Sequence, residues 1–249
     1  MRKIKLLLNT IKYLKPIQVY YRFYYFFRNK LIRINVNEKF LTPFTLINWE
    51  SELKSSLSYE HKQKSFSFLN IKKQFLEQID WNYNKHGKLW TYNLNYFDFL
   101  NQKEMISQIG VNLILDYIKN DSILKDGKEP YPISLRGMNW IKFLAENKIS
   151  NTQIDKTLIN HYKILSENLE YHLLGNHLLE NAFSLLFGSY YFQDEKLYNK
   201  SRDLLFLELN EQVLKDGAHL ELSPMYHQII LIRLLDSIQL IKLNSGWKK

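Results

Sequence analysis

An all-α fold is the prediction from this sequence, and it rests on three observations. Glycine and proline, which most often interrupt helices, number only 8 and 5 among 249 residues. Apolar residues recur at helical spacing in most segments beyond residue 100. No segment shows a convincing alternation of apolar and polar residues, and the 45% hydrophobic content is sufficient for a buried core.

The first hundred residues give the less regular signals. Residues 1–34 are predicted to form one or two basic amphipathic helices, interrupted at Pro16. Residues 35–62 are expected to be mostly loop, because they mix polar and apolar residues without a period. Residues 66–80 carry a nearly helical apolar stripe, so a helix is expected there.

Beyond residue 100 the helical pattern becomes regular. Residues 103–119 place six apolar side chains on one face, whereas residues 120–135, with two prolines, are expected to be a loop. Further helices are predicted over residues 136–147, 153–173, 177–192, 196–214 and 224–243. Their short connections indicate either a helical bundle or stacked αα-hairpins forming an incomplete α/α toroid. We therefore divide the chain into an N-terminal segment, residues 1–65, and a toroid domain, residues 66–249.

Charge and cysteine content limit the classes of function. The absence of cysteine excludes a disulfide framework, a thiolate metal site and a cysteine nucleophile. A net charge of +9 favours polyanionic partners, namely nucleic acid, an anionic membrane surface or an acidic polysaccharide. No stretch approaches the roughly 18 apolar residues of a transmembrane segment, and no nucleic-acid recognition motif is present.

The N-terminus begins like a signal peptide but does not continue as one. Arg2 and Lys3 precede three leucines, yet the apolar run of about 7–15 residues that such a peptide needs is missing. By sequence we therefore expect a cytoplasmic protein.

One helix start, Gly175-Asn176-His177-Leu178-Leu179-Glu180-Asn181, combines a stop signal with polar residues. Gly175 is suited to end the preceding helix, and Asn176 is suited to cap the next one. His177 and Glu180 are three residues apart, so they share a helix face and can form a hydrogen bond. The alternative is an ordinary cap followed by a surface His–Glu pair.

A second helix start follows the turn at Asp216-Gly217. Ser223 is a favourable N-cap and Pro224 a favoured first helical residue, which places Tyr226 in the first turn. The positive end of the helix dipole lies there and favours a phenolate. The alternative for Tyr226 is a half-buried aromatic residue. His219, Glu221 and His227 are not expected to form a metal site, because their spacing does not bring them together.

Two further segments contain side chains suited to a carbohydrate. In PYPISLRGMNW (130–140), Arg136 could bind a carboxylate in a bidentate fork. In WTYNLNYFD (90–98), aromatic rings alternate with amides, which suits stacking on sugars, although core packing is the more frequent use of such residues.

Taken together, four stretches resemble the heparinase II/III-like family of polysaccharide lyases, with a similar basic start over residues 11–28. The stretches are LWTYNLNYFDFL (89–100), PYPISLRGMNWIKFL (130–144), GNHLLENAFSLLFGSYYF (175–192) and DGAHLELSPMYHQIIL (216–231). The resemblance covers nearly the whole chain, in the order found in the family.

The resemblance implies a helical toroid with catalytic residues at Asn176, His177 and Tyr226. It also implies that Glu180 supports the histidine and that Arg136 contacts the substrate carboxylate. Asn95 departs from the histidine expected at its position, which we expect to alter a substrate contact. The other candidate substrate contacts within these stretches are Tyr92, Trp140 and His227.

The implied reaction is β-elimination on a uronic acid of an acidic polysaccharide. Asn176, His177 and Arg136 would neutralise the carboxylate, and Tyr226 would remove the C5 proton and then protonate the leaving oxygen. This chemistry requires no metal or cofactor. Related lyases are often periplasmic, and family enzymes continue into β-sheet domains, so we expect that part to be missing or separately encoded and the chain alone to be weak or inactive.

Three other interpretations remain open. The first is a catalytically incomplete glycan-binding or assembly protein on the same scaffold. The second, a helical nucleic-acid binder, is suggested only by the charge. The third is a glycoside hydrolase that uses the carboxylates of Glu180 and Glu221.

Overall fold

The computed structural model describes residues 9, 12–31, 45–51 and 53–248. Its α-helices are α1 (Pro16–Leu31), α2 (Lys88–Tyr96), α3 (Ser107–Lys119), α4 (Pro130–Glu146), α5 (Thr152–Glu167), α6 (Gly175–Phe192), α7 (Glu195–Gln212) and α8 (Pro224–Leu243). Its strands are β1 (Tyr59–Glu60), β2 (Ser65–Phe68) and β3 (Ile71–Gln74). The predicted, mostly helical fold is therefore confirmed, and α8 has the predicted bounds.

The prediction of a helix over residues 66–80 is wrong, because β2 and β3 form an antiparallel hairpin over residues 65–74. Phe68 pairs with Ile71 across a two-residue turn, and β1 pairs with the other edge of β2. Both turn residues, Leu69 and Asn70, have positive φ angles of 54° and 60°, as a tight hairpin turn requires. The alternation in SFSF buries Phe66 and Phe68, and this two-residue period was masked by the apolar residues that follow.

The loop predicted over residues 120–135 ends earlier than expected. Helix α4 begins at Pro130, and Pro132 also lies in its first turn. Prolines are tolerated there because the first turn has no intrahelical partner for a backbone N–H. Helix α5 is shorter than predicted, since it ends at Glu167 and residues 168–174 form the connection to α6.

Helices α4, α6 and α8 run parallel to one another. Along α4 and α6, Ser134 contacts Asn181 and Lys142 lies over the Phe187 ring, in the same order on both helices. Likewise Glu180 of α6 pairs with Arg233 of α8, and Tyr190 meets Trp247 just beyond α8. The N-terminal ends of the three helices therefore lie on the same side of the molecule. The antiparallel α5 and α7 connect them, as in stacked αα-hairpins, while a toroid remains a prediction.

The buried ring of Tyr162 sets the spacing between α4 and α6. A Cβ atom on Gly188 of α6 would lie 2.3 Å from Tyr162 Cε1, and one on Gly137 of α4 would lie 2.8 Å from its hydroxyl oxygen. Neither position can therefore carry a side chain without displacing the ring. The Ser184 hydroxyl donates a 3.2 Å hydrogen bond to the Tyr162 oxygen.

Helix α1 lies against the connection that precedes α6. The Tyr25 hydroxyl donates to the Leu169 carbonyl, and the Tyr21 ring stacks on Tyr171 at 4.4 Å. The part of the N-terminus that begins like a signal peptide, residues 1–8, lies outside the described residues. Within the described part of the chain, no helix is both long and apolar enough to cross a membrane. The predicted boundary at residue 65 stays a prediction, although β1 and β2 pair across it.

Candidate active site

Asn176 lies in the first turn of α6 rather than at its cap. The helix begins at Gly175, and the capping position is Leu174, with a φ of 62°. Asn176 is half-buried. Gly175 itself has a φ of 59°, so the left-handed backbone expected from the sequence is present, although α5 has already ended eight residues earlier.

His177 is held by a carboxylate that the sequence did not indicate. Its Nδ1 lies 3.0 Å from Oε1 of Glu170, in the connection before α6, and its ring is 4.6 Å from that of Tyr131. The His177 side chain remains 36% exposed, whereas that of Glu170 is only 6% exposed. The expectation that Glu180 supports the histidine is therefore corrected.

Glu180 instead pairs with Arg233 of α8. Arg233 Nε donates to both carboxylate oxygens of Glu180, at 2.9 and 3.1 Å. Burial alone would lower the pKa of Arg233, but the charge and hydrogen bond of Glu180, together with the charges of Asp236 and Asp98, outweigh it and the pKa is raised. Arg233 therefore stays charged, and the pair joins α6 to α8.

Four rings form a row across the N-terminal side of the helices. Successive ring centroids are separated by 6.0 Å from Tyr92 to Tyr96, 5.9 Å from Tyr96 to Tyr131 and 4.6 Å from Tyr131 to His177. Burial raises the pKa of all three tyrosines, and nearby carboxylates raise it further. Their phenols are therefore hydrogen-bond donors rather than bases. The hydroxyl of Tyr92 already donates to Glu129.

A cleft of about 460 Å³ lies below this row, between α4 and α8. Tyr96 lines it together with Leu135, Asn139 and Lys142 from α4 and Ile229, Arg233 and Asp236 from α8. Lys142 and Asp236 form a buried ion pair across it. Burial lowers the pKa of Lys142, and the carboxylate of Asp236 opposes this change.

Tyr226 lies on the face of α8 that borders this cleft. It precedes Ile229 by three residues and Arg233 by seven, so the three side chains share one helix face. Tyr226 is half-buried, and its ring is 6.2 Å from that of His219, which is 2% exposed. His227, one residue further on, is exposed.

The parallel packing brings the two predicted catalytic turns to the same side of the molecule, although none of Asn176, His177 and Tyr226 lines the cleft itself. The Glu180–Arg233 pair serves as a reference level on α6 and α8. His177 lies about 4.5 Å above that level and Tyr226 about 10.5 Å above it, from the rise of about 1.5 Å per residue. Tyr226 thus lies roughly one helical turn beyond His177.

Three predicted substrate contacts lie in the core and are corrected. Arg136 is fully buried, and its guanidinium donates to the carbonyl oxygens of Asn95 and Gly127. Asn95 is equally buried, and its side-chain amide donates to the carbonyl oxygens of Trp81 and Thr91. Trp140 is 0% exposed. All three therefore support the fold.

Four residues of this region were not among the predicted site residues. Tyr96 and Tyr131 were quoted only within longer stretches, and their alignment with His177 depends on packing between helices. Arg233 had one signal, its spacing of seven residues from Tyr226, which places both on one face. Glu170 had none, because it lies in a connection that was predicted to be helical.

No cluster of three or more His, Asp or Glu side chains suited to a metal ion occurs among the described residues. The polar groups of the candidate site include hydroxyl, amide and guanidinium groups, which act as hydrogen-bond donors.

Comparison with known proteins assigns the family of this region. The family described as Heparinase II/III N-terminus matches residues 134–248. This region is heparinase II/III-like. The matched region contains Asn176, His177 and Tyr226, the predicted catalytic residues, and the match relates this part of the chain to polysaccharide lyases.

One similar curated protein is a heparin-sulfate lyase from Bacteroides stercoris. The two are 29% identical, over 45% of this chain and 22% of the lyase. The similar region thus spans about a fifth of that relative's length. No solved structure matches the chain significantly.

Proposed function

We propose that this chain carries the helical, catalytic part of a polysaccharide lyase that cleaves uronic-acid-containing glycans by β-elimination. The observation that carries the proposal is the parallel packing of α6 and α8, joined by Glu180 and Arg233. Their first turns carry His177 and Tyr226 on the same side of the molecule.

The reaction requires that the carboxylate of the uronic acid be neutralised before the C5 proton can leave. The N-terminal ends of α4, α6 and α8 lie on one side, and their dipoles favour an anion there. The amide of Asn176 and the ring of His177 would bind the carboxylate and the developing enolate charge. Arg136 is buried in the core, so we assign the electrostatic stabilisation of this negative charge to Arg233, which borders the cleft.

Tyr226 would act as the base and then as the acid. Its oxygen would take the proton from C5, the bond between C4 and the glycosidic oxygen would break, and the same proton would pass to the leaving oxygen. Tyr96 and Tyr131 are poor alternatives for the base, because burial and nearby carboxylates raise the pKa of both hydroxyl groups. They are better suited to donating hydrogen bonds to the sugar.

The row formed by Tyr92, Tyr96 and Tyr131 offers aromatic surface for the glycan. Half-buried rings with protonated hydroxyls combine an apolar face and a polar edge, which a sugar ring also presents. A net charge of +9 would attract an acidic polysaccharide over a longer range.

The alternative is a catalytically incomplete protein that binds or assembles glycans on the same scaffold. It is favoured by the offset of about 6 Å, close to one helical turn, between Tyr226 and His177 along the helix axes. The two functions differ in one product, because only elimination forms an unsaturated uronate that absorbs ultraviolet light.

Tyr226→Phe is the variant that tests the proposed function. In protein that forms the unsaturated product, we expect kcat to fall by about 10²–10⁴-fold with little change in KM, since one hydroxyl is lost and the ring remains. Initial rates on heparin-like and alginate-like polyuronates would measure the effect.

Tyr198→Phe is the matched control for this experiment. Tyr198 packs against Trp247, away from the candidate residues, so the same deletion of a hydroxyl should leave kcat unchanged. A Tyr226→Phe protein that keeps most of its kcat would contradict the assignment of the base. Absence of product from every polyuronate, with binding retained, would favour the glycan-binding alternative.

A further inference from the structure

Glu170 is fixed in position by the side chain of Asn181. The Asn181 Oδ1 atom accepts the backbone N–H of Glu170 at 2.8 Å, and its Nδ2 atom donates to Glu170 Oε2 at 3.0 Å. The same Nδ2 atom donates to the Ser134 hydroxyl oxygen at 3.0 Å. Because its oxygen must accept from a backbone N–H, the amide of Asn181 can be oriented in only one way.

The remaining oxygen of Glu170 determines which nitrogen of His177 carries a proton. Oε1 lies 3.0 Å from His177 Nδ1, and an ionised carboxylate can only accept a hydrogen bond. Nδ1 must therefore be the protonated nitrogen when the ring is neutral. Nε2 is left without a partner among the described residues and is the nitrogen available to a ligand.

We propose that Glu170 is a positioning residue that holds His177 in the Nδ1–H tautomer, so that Nε2 meets the substrate; this rests on the proposed lyase function. A neutral ring then presents a lone pair at Nε2. When Nε2 takes up a proton, the positive charge of the ring lies beside the Glu170 carboxylate and can bind the uronate carboxylate on its other side.

Glu170→Gln should reverse the tautomer with almost no change in volume. A glutamine has one accepting and one donating end, and the Nδ2 donor of Asn181 requires the accepting end. The donating end must then face His177 Nδ1, which becomes an acceptor. The proton moves to Nε2, and the ring can no longer become the doubly protonated, positively charged form that binds the uronate carboxylate, because Nδ1 would then face an N–H donor.

Glu180→Gln is the matched control. Glu180 lies three residues from His177 on the same helix, but its carboxylate is bound by Arg233. The same substitution there should leave the His177 tautomer unchanged. Comparison of the two variants distinguishes Glu170, whose carboxylate contacts His177, from Glu180, which the sequence suggested.

The ring nitrogens of His177 can be observed by ¹⁵N–¹H NMR at a pH where the ring is neutral, with His177→Asn to assign the signals. We expect the Nδ1–H tautomer in the wild-type chain and in Glu180→Gln, and the Nε2–H tautomer in Glu170→Gln. We also expect Glu170→Gln to lower kcat by about 10²–10⁴-fold, as loss of a correctly oriented histidine does elsewhere.

An Nε2–H tautomer in the wild-type chain would overturn the proposal, even if Glu170→Gln did not fold. A reversed tautomer with an unchanged rate of elimination would also overturn it. If the tautomers are as expected and no polyuronate yields an unsaturated product, only the proposed lyase function is contradicted.

Discussion

His161 is a buried histidine whose neutral form is built into the core. Its Nε2 lies 3.0 Å from Asp121 Oδ1, while its Nδ1 faces Arg136 at 3.5 Å. Burial lowers the pKa of His161 to about 4, and the Arg136 charge adds to this effect. In the unfolded chain the same ring would take up a proton near its ordinary pKa of about 6.5.

We therefore predict a loss of stability as the pH falls from about 6.5 to 4. In that range the unfolded chain binds a proton that the folded chain does not, which costs up to about 3 kcal/mol of unfolding free energy. Urea unfolding as a function of pH would measure it. His161→Gln, which can still accept from Arg136 and donate to Asp121, should remove most of this dependence. His227→Gln, at an exposed position, should not, and equal pH profiles for both variants would refute the prediction.

The position of an individual residue was predictable where a local sequence signal, such as a helix start, determined it. Ser223 occupies the N-cap position of α8, although its side chain makes no capping hydrogen bond, and Pro224 is the first helical residue, so Tyr226 was correctly placed in the first turn. Arg136 was misplaced, because an arginine is normally exposed, and here backbone carbonyl oxygens and the Tyr117 ring hold its charge in the core. That environment depends on tertiary packing, which single-sequence patterns do not report.

At the scale of elements, α1 stabilises the connection that carries Glu170. The rings of Tyr21 and Tyr171 stack, and Gln18 donates to the Leu173 carbonyl. The outward side of the same helix is different, since Phe23 is 59% exposed.

We predict that Tyr21→Ala increases the mobility of residues 168–174. Loss of the stacked ring removes packing from the connection, so its amides should exchange with solvent faster. Hydrogen–deuterium exchange followed by mass spectrometry would detect the change. Phe23→Ala on the exposed side of α1 should leave these amides unaffected, and an equal response in both variants would show that α1 does not hold the connection.

Among the elements, the long helices were predictable from their periodicity, whereas the short strands were not. Helix α6 is almost entirely buried, whereas α7 and α8 each bury one stripe of side chains. Long apolar segments and helical periods of this kind are visible in the sequence. The hairpin of β2 and β3 has only four residues in each strand, too few to reveal a two-residue period beside other apolar residues. The start of α4 was missed because Pro130 was taken as a loop residue rather than as a first helical residue.

At the scale of the whole molecule, α8 leaves apolar side chains in contact with solvent. Leu231, Leu235 and Ile238, spaced along one face, are 47%, 50% and 47% exposed. The cleft bordered by the opposite face of α8 is also partly open to solvent. An open site keeps water around the reacting groups, which weakens the interactions that stabilise developing charge.

We predict that this chain alone catalyses elimination only weakly. Single-turnover and steady-state rates on a polyuronate should rise when the β-rich part of a related lyase is supplied as a separate polypeptide. Bovine serum albumin at the same concentration would serve as the control for nonspecific effects. Full turnover by the chain alone would contradict the prediction.

The ring of Tyr162, held between Gly137 and Gly188, has a consequence for motion. A phenol ring can turn over about its long axis only if its neighbours move apart, and here the neighbours include the backbones of α4 and α6. Exposed rings flip within nanoseconds, whereas we expect this one to flip on the timescale of about a millisecond or longer. Its two edges should then give separate NMR signals. The rate at which they exchange would report how often the two helices, which carry Tyr131 and His177, separate from each other.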